Sequence, residues 1–277
     1  MDFPFLIRQR ILLKSEDRKP RRTLEECDTW YEAVSHYQFY GWAFAGGYSD
    51  DQTLNGVRPP VPFSLILWRL FNMIHAGKFD CDSTWLHFLG VGDLKSAVLL
   101  TTLKDCLNDM LDCKVEVSYD TSTPFRSTSR HRLANLIKFS PYDITFNYQD
   151  INLNEWANST KRFNYSGSEI GQHLRLRDII YNDIIHGPRY RELGKIMLTN
   201  HNIHSQMCAI DALHQILNIT TDRSILEKYV PKYLLEAQDA IRDILSQPTR
   251  QKAGEKLFNG TLQKHLNCAY RNICELY

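Results

Sequence analysis

Apolar positions along this chain follow two rhythms, and the change between them falls near residue 130. Before it, short aromatic and β-branched runs alternate with longer runs whose apolar residues recur three and four apart. Tyr37 to Ala45 predicts a strand ending in Gly46-Gly47, and Phe63 to Ala76 places apolar residues on one helical face. Trp85 to Leu89 predicts a second strand ending in Gly90-Val91-Gly92. Asp93 then caps a helix through about Leu111, with Leu94, Ala97, Val98, Leu103 and Leu107 on its apolar side. Val115 to Tyr119 predicts a third strand, ended by Asp120-Thr121-Ser122-Thr123-Pro124. Strand, turn and helix in this alternation predict βα units around a parallel sheet. Chemistry in such folds gathers where the strands end.

The flanks are different. Residues 1–35 hold an apolar start, Phe3 to Leu6, and the basic cluster Arg18-Lys19-Pro20-Arg21-Arg22. Thr23 with Glu26 then has the form of a capping box opening a short helix through Val34. After residue 130, Tyr142 to Tyr148 and Arg162 to Tyr165 predict loops or a small hairpin. From Glu192 onward the pattern is helical over Ile196 to Leu217, Ser224 to Leu245 and Gln251 to Leu276, punctuated by Pro248 and Gly254. The expected organisation is a basic segment at 1–35, βα units over 36–130, and an insertion with helices over 131–277.

Composition changes this picture little. A net charge of +1 gives no global positive field, so a nucleic-acid partner needs a local patch. Met1 to Arg10 carries charge where a signal peptide has its apolar core. With seven Cys, an odd number, free thiols in a reducing cytoplasm are expected rather than a disulfide framework. The longest apolar run, Val61 to Leu67, contains Pro62 and Ser64 and is far below the roughly 20 residues that cross a bilayer, so no membrane partner is expected.

Three strand ends carry candidate chemistry. A carboxylate at Asp120, leaving a buried strand, can attack an anomeric carbon and form a glycosyl intermediate; the alternative is that it caps the following turn or helix. Gly46 and Gly47 let a backbone approach a flat ligand closely, or form a plain turn. Gly90-Val91-Gly92 lacks the third glycine of a dinucleotide fingerprint, and Asp93 would repel a pyrophosphate, which argues against a nucleotide cofactor. Leu89 offers an apolar face to a base or belongs to the core.

Together these segments resemble the tRNA-guanine transglycosylase superfamily. Its members carry Gly-Tyr-Ala-Ile-Gly-Gly-Leu, then Tyr-Leu-Met-Gly-Val-Gly, then Phe-Asp-Cys-Val-x-Pro-Thr-Arg. Here Gly41 to Tyr48, with one extra residue, His87 to Gly92, and Tyr119 to Arg126 stand in the same order, and Asp120, Pro124 and Arg126 keep the spacing. Leu198-Thr199-Asn200-His201-Asn202-Ile203 resembles the Thr-Ile-His-Asn-Leu that opens the family's last barrel helix. His-Phe-Leu-Gly-Val-Gly, and an Asp followed by Ser and Thr, look most like the phage and bacterial relatives that modify DNA.

The resemblance implies an α/β fold, a partial (β/α)8 TIM barrel of about the last three βα units with a mostly helical C-terminal extension. It implies a pentosyltransferase that replaces guanine in DNA with a 7-deazaguanine such as the 7-cyano form, in the cytoplasm or a phage host's cytoplasm. Asp120 matches the nucleophile. Gly46, Gly47 and Tyr48, with His87, Leu89, Gly90 and Gly92, match base-binding segments. Arg126, extended by Arg130 and Arg132, matches a contact to the nucleic-acid backbone; solvated surface is the alternative for these arginines. Zinc-bearing members have Cys-x-Cys-x-x-Cys followed by His, which has no counterpart here; no metal and no cofactor are expected. The match starts near residue 37, so a second polypeptide supplying the first half of the barrel, or a truncated product, is implied. The alternative is a non-catalytic nucleic-acid-binding subunit, with tRNA as the other substrate.

Overall fold

Strands that follow one another in sequence also lie side by side in the first part of the chain. The structure, a computed structural model, describes residues 6–8, 31–45, 62–135, 139–163 and 173–259. Strands β1 (Leu6–Arg8), β2 (Gly41–Ala45), β3 (Trp85–Phe88) and β4 (Glu116–Tyr119) form one sheet in that order, every pair parallel. Helix α1 (Pro62–His75) separates β2 from β3, and α2 (Leu94–Leu111) separates β3 from β4. β1 is a strand beyond the three expected. Among the described residues the sheet does not close into a barrel.

Local chemistry sets these boundaries. Asp93 precedes α2 in extended backbone and its Oδ1 accepts the Ser96 N–H, as the sequence predicts; the helix ends where Asp112 turns left-handed at φ 50°. Period-two alternation divides the sheet residues between two faces. Trp42, Phe44, Leu86 and Phe88 share one and are all buried, with the Phe44 and Phe88 rings stacked 5.5 Å apart. Ala43, Trp85, His87 and Ser118 share the other, where the last three are only half-buried. Gly41 is required there, because a Cβ would lie 2.7 Å from the Trp85 carbonyl oxygen.

The chain divides into two compact units, Met1–Thr121 with Glu227–Tyr277, and Ser122–Leu226. The sequence pattern changes near 130, whereas the contacts divide at 122 and the chain rejoins the first unit after 226. The second unit contains α3 (Thr123–Ser129), β5 (Arg132–Ala134), β6 (Tyr148–Asp150), α4 (Leu153–Asn158), α5 (Leu176–Ile179), β7 (Ile180–Asp183), β8 (Gly187–Tyr190), α6 (Glu192–Ile219) and α7 (Arg223–Leu226). β5 pairs antiparallel with β6, and β7 with β8, in two two-stranded sheets. Its core gathers Ile151, Phe163, Leu176, Ile179, Ile180 and Leu198.

Back in the first unit, α8 (Lys232–Leu245) packs on α2 and α9 (Arg250–Asn259) packs on α1. The buried Gln238 amide donates to Thr102 Oγ1 at 2.7 Å, tying α8 to α2. The continuous helical pattern expected over Ser224 to Leu245 is therefore interrupted. Pro231 stands at the start of α8, where its missing N–H costs nothing, but within a continuous helix it would break the ladder. Of the pattern expected from Gln251 to Leu276, only the part through residue 259 lies within the described residues, as does only 31–34 of the expected N-terminal helix.

Two expected outcomes follow from the second unit. A Cβ at Gly194 would sit 2.3 Å from the Ile179 carbonyl oxygen and 2.6 Å from its Cα. Gly194→Ala gains about 1 kcal/mol of helix propensity, but backbone has to move to admit the methyl, at a cost of about 1–3 kcal/mol. A net loss of up to about 2 kcal/mol in urea unfolding is expected; a stabilised variant would contradict the close approach.

Burial also lowers the pKa of His201 below its ordinary 6.5, partly offset by its hydrogen bond to the Ala134 carbonyl. The unfolded chain then binds the proton more tightly than the folded one. This contribution to stability is complete above pH 6.5 and is lost as pH falls toward the folded value. Urea midpoints measured from pH 7.5 down to 5.5 should fall in the wild type and fall less in His201→Gln.

Candidate functional site

β3 and β4 end side by side, and their ends bring two separate motifs together. The Asp120 backbone N–H donates to the Phe88 carbonyl at 3.2 Å, extending the ladder by one residue. Asp120 Oδ1 then accepts the Gly90 N–H at 2.9 Å. Gly90 has φ +78°, a conformation other residues adopt only with strain, and it is this turn that aims its N–H at the carboxylate. Helix α3 instead begins at Ser122 with Pro124 in its first turn and no side-chain cap, so Asp120 is not the helix cap. Its side chain is 58% exposed.

The second carboxylate oxygen, Oδ2, lies 3.8 Å from His87 Nε2, and the His87 side chain is 19% exposed. Register explains the approach: His87 on β3 is paired with Ser118 on β4, and Asp120 lies two residues beyond Ser118 on the same face. Ser118 Oγ is 2.9 Å from His87 Nδ1 and accepts the Trp85 indole N–H at 2.9 Å. The hydroxyl has one proton to give, and its other acceptor, the Leu86 carbonyl, is 3.5 Å away. Its proton can go to His87 Nδ1 or to that carbonyl, and the other ring nitrogen, Nε2, is the one nearest Asp120. A chain of polar contacts thus runs from Trp85 through Ser118 to His87 and toward the carboxylate.

Among the residues expected from sequence, Asp120, His87 and Gly90 meet here. Leu89 is half-buried in the same turn, with its N–H bonded to the Phe44 carbonyl at 2.9 Å, and Gly92 is half-buried just before the cap of α2. Gly46, Gly47 and Tyr48 lie outside the described residues. Arg126, Arg130 and Arg132 belong to the second unit and are exposed, and Arg132 Nε is 3.0 Å from Asp150 Oδ1. Ser118 and Trp85 were not anticipated. Their signal was the alternation that puts Trp85, His87 and Ser118 on one face.

The segment expected to open a helix does not do so. Leu198 to Ile203 lies inside the 28-residue α6, and His201 and Asn202 are buried. Asn202 Oδ1 accepts the Ala134 N–H at 2.7 Å, and its amide donates to the Arg132 carbonyl at 3.0 Å and Thr128 Oγ1 at 3.1 Å. These are structural bonds holding α3 and β5 to α6.

Among the described residues no group of three or more His, Cys, Asp or Glu is gathered to hold a metal ion, and no helix is long and apolar enough to cross a membrane. No family model, no curated protein and no solved structure matches this chain.

Proposed function

We propose that this chain is one part of a base-exchanging transglycosylase that replaces guanine in DNA with a 7-deazaguanine such as the 7-cyano form. The observation that carries the reading is the Gly90 N–H bond to Asp120, which joins at one point two motifs the sequence matches separately. It leaves Oδ2 as the attacking oxygen. In the first half-reaction, Oδ2 bonds to C1′ of the target deoxyguanosine and the C1′–N9 bond breaks, its electron pair leaving with guanine. Doubly protonated His87 would give its Nε2 proton to the departing base and keep the proton on Nδ1. In the second half-reaction, the incoming base gives its N9 proton to His87, and its N9 attacks C1′ and displaces the carboxylate. Atoms and protons balance without redox cofactor or nucleotide hydrolysis.

The sheet order supports the same architecture. Four parallel strands stepping in one direction are what the last four strands of a (β/α)8 barrel would look like, with the site at their C-terminal ends. The half-buried face bearing Trp85, His87 and Ser118 would then be the barrel interior. Parallel sheets are ordinarily covered on both faces, so the remaining barrel half would come from a second polypeptide, unless the chain is a truncated product. The target base must leave the stack before its C1′ can be reached.

The test is incorporation of labelled 7-cyano-7-deazaguanine into duplex DNA and into tRNA, by the chain alone and with the product of the neighbouring reading frame. Label in DNA with release of guanine is expected. Label in tRNA only would move the reading to the tRNA enzymes, and nucleic-acid binding without label in either would make the chain a non-catalytic subunit.

A further inference from the structure

The β7–β8 hairpin carries two isoleucines where a soluble surface would ordinarily place polar residues. Ile184 and Ile185 are 103% and 83% exposed at its tip. The tip is held firmly. Asp183 Oδ1 accepts the backbone N–H groups of Ile185 at 2.8 Å and His186 at 2.9 Å, and Gly187 closes the three-residue loop at φ +76°. These N–H bonds hold the Asp183 carboxyl below the usual carboxylate range. Both apolar residues are β-branched, so little rotamer freedom remains to be lost when they are buried. The loop therefore projects a stiff, narrow apolar edge.

The hairpin and its flanks carry Arg177, Arg189 and Arg191 together with Asp178, Asp183 and Glu192. His186 and Arg189 lie within 3.2 and 3.6 Å of Asp183. Arg191 packs over the Tyr181 ring, 5.2 Å from its centroid. Arg177, Arg191, Tyr181, Asn182 and Asp178 line a cleft of about 330 Å³ beside the hairpin. Asp183 accepts the two turn N–H groups, and Asp178 Oδ2 accepts the Arg175 N–H at the start of α5.

We propose that this hairpin is a wedge for duplex nucleic acid, with Ile184 and Ile185 entering between base pairs and Arg177 and Arg191 taking the flanking phosphates. Two side chains are far too small for a stable protein interface, which buries at least about 1,000 Å². They match a single base step, the slot that apolar wedges enter when a duplex is kinked. Guanidinium groups beside the slot supply the charge that phosphate needs. The inference rests on the reading that nucleic acid is the substrate.

The experiment reads binding and unstacking, not exchange, so its outcome is separate from that of the chemistry at Asp120. A duplex oligonucleotide containing 2-aminopurine is titrated with wild type, with Ile184→Ser/Ile185→Ser and with Arg177→Gln/Arg191→Gln. Anisotropy is measured at two salt concentrations and circular dichroism confirms that each variant is folded. Wild type is expected to bind and raise 2-aminopurine fluorescence several-fold. The serine pair should bind within about threefold of wild type but lose that rise, since apolar insertion and phosphate contacts are separate contributions. The glutamine pair should bind about tenfold more weakly, with the salt slope reduced by up to about 2. Unstacking by the serine pair equal to wild type overturns the proposal, as does duplex binding by wild type with no fluorescence rise, or no binding at all. Loss in the serine pair of co-sedimentation with phosphatidylserine vesicles, with DNA signals unchanged, assigns the tip to a lipid surface instead and likewise overturns it.

Discussion

Asp120→Asn is expected to lower the rate of base exchange by at least about a thousandfold, the scale on which removing a covalent nucleophile acts. The substitution is nearly isosteric, and the new amide oxygen can still accept the Gly90 N–H that Asp120 Oδ1 accepts at 2.9 Å. The turn should therefore survive, and stability should stay within about 0.5 kcal/mol of wild type, as for an exposed side chain whose bond is replaced. Duplex binding should be unchanged for the same reason. His87→Gln separates the two roles assigned at this site. It should lower the rate by about 10²–10⁴-fold, the range of a proton donor, while leaving the covalent step available to bases that leave without protonation. Exchange by Asp120→Asn above a tenth of the wild-type rate would remove the carboxylate from the mechanism.

The largest expected effect on stability lies at Asn202, which is fully buried. Asn202→Ala removes the acceptor for the Ala134 N–H and the donors to the Arg132 carbonyl and Thr128 Oγ1. A buried N–H left without a partner costs about 1–3 kcal/mol, and the truncated side chain adds a cavity. A loss of about 3 kcal/mol is expected. Asn202→Asp should lose at least as much, because it keeps the acceptor for Ala134 but sets a buried carboxylate oxygen against the Arg132 and Pro124 carbonyls. Trp156 is the sole tryptophan in residues 122–226, so its fluorescence in urea, in a chain whose other tryptophans are replaced by Phe, reports this unit. A loss below about 1 kcal/mol for Asn202→Ala would show that the three bonds are easily replaced by water.

The βα part of the fold was legible because both of its periodicities are clean. Leu86 and Phe88 alternate with Trp85 and His87, and Asp93 is followed by an apolar helical stripe, so β3 and α2 fall close to where the sequence puts them. β1 was not legible: three residues, Leu6–Arg8, are too short for a period of two to show, and partners in β2 define the strand. The β7–β8 hairpin was missed although Asp183 and Gly187 bracket a three-residue loop, the chemistry of a type I turn closed by a left-handed glycine. Exposed Ile184 and Ile185 masked it, because they make the turn look like strand interior. Pro231 was overlooked as a helix breaker for the converse reason: the apolar spacing continues across it.

At the site, the sequence could nominate Asp120, His87 and Gly90 but could not connect them. Their contact depends on the parallel register His87 with Ser118, which pairing across 31 residues decides and no local pattern records. The same register brought in Ser118 and Trp85. For His201 and Asn202 the motif match pointed to a helix start, whereas burial inside α6 turned both into bonds that hold the second unit together.

The attack of Asp120 on a sugar is tested most directly by trapping the intermediate. The protein is mixed with guanine-containing DNA without added base, quenched in denaturant, treated with nuclease and protease, and its peptides are weighed. The account predicts a deoxyribosyl nucleotide mass on the peptide containing Asp120, which disappears when 7-cyano-7-deazaguanine is added before the quench. An unmodified Asp120 peptide under conditions where guanine is released, or the mass on another residue, would contradict it.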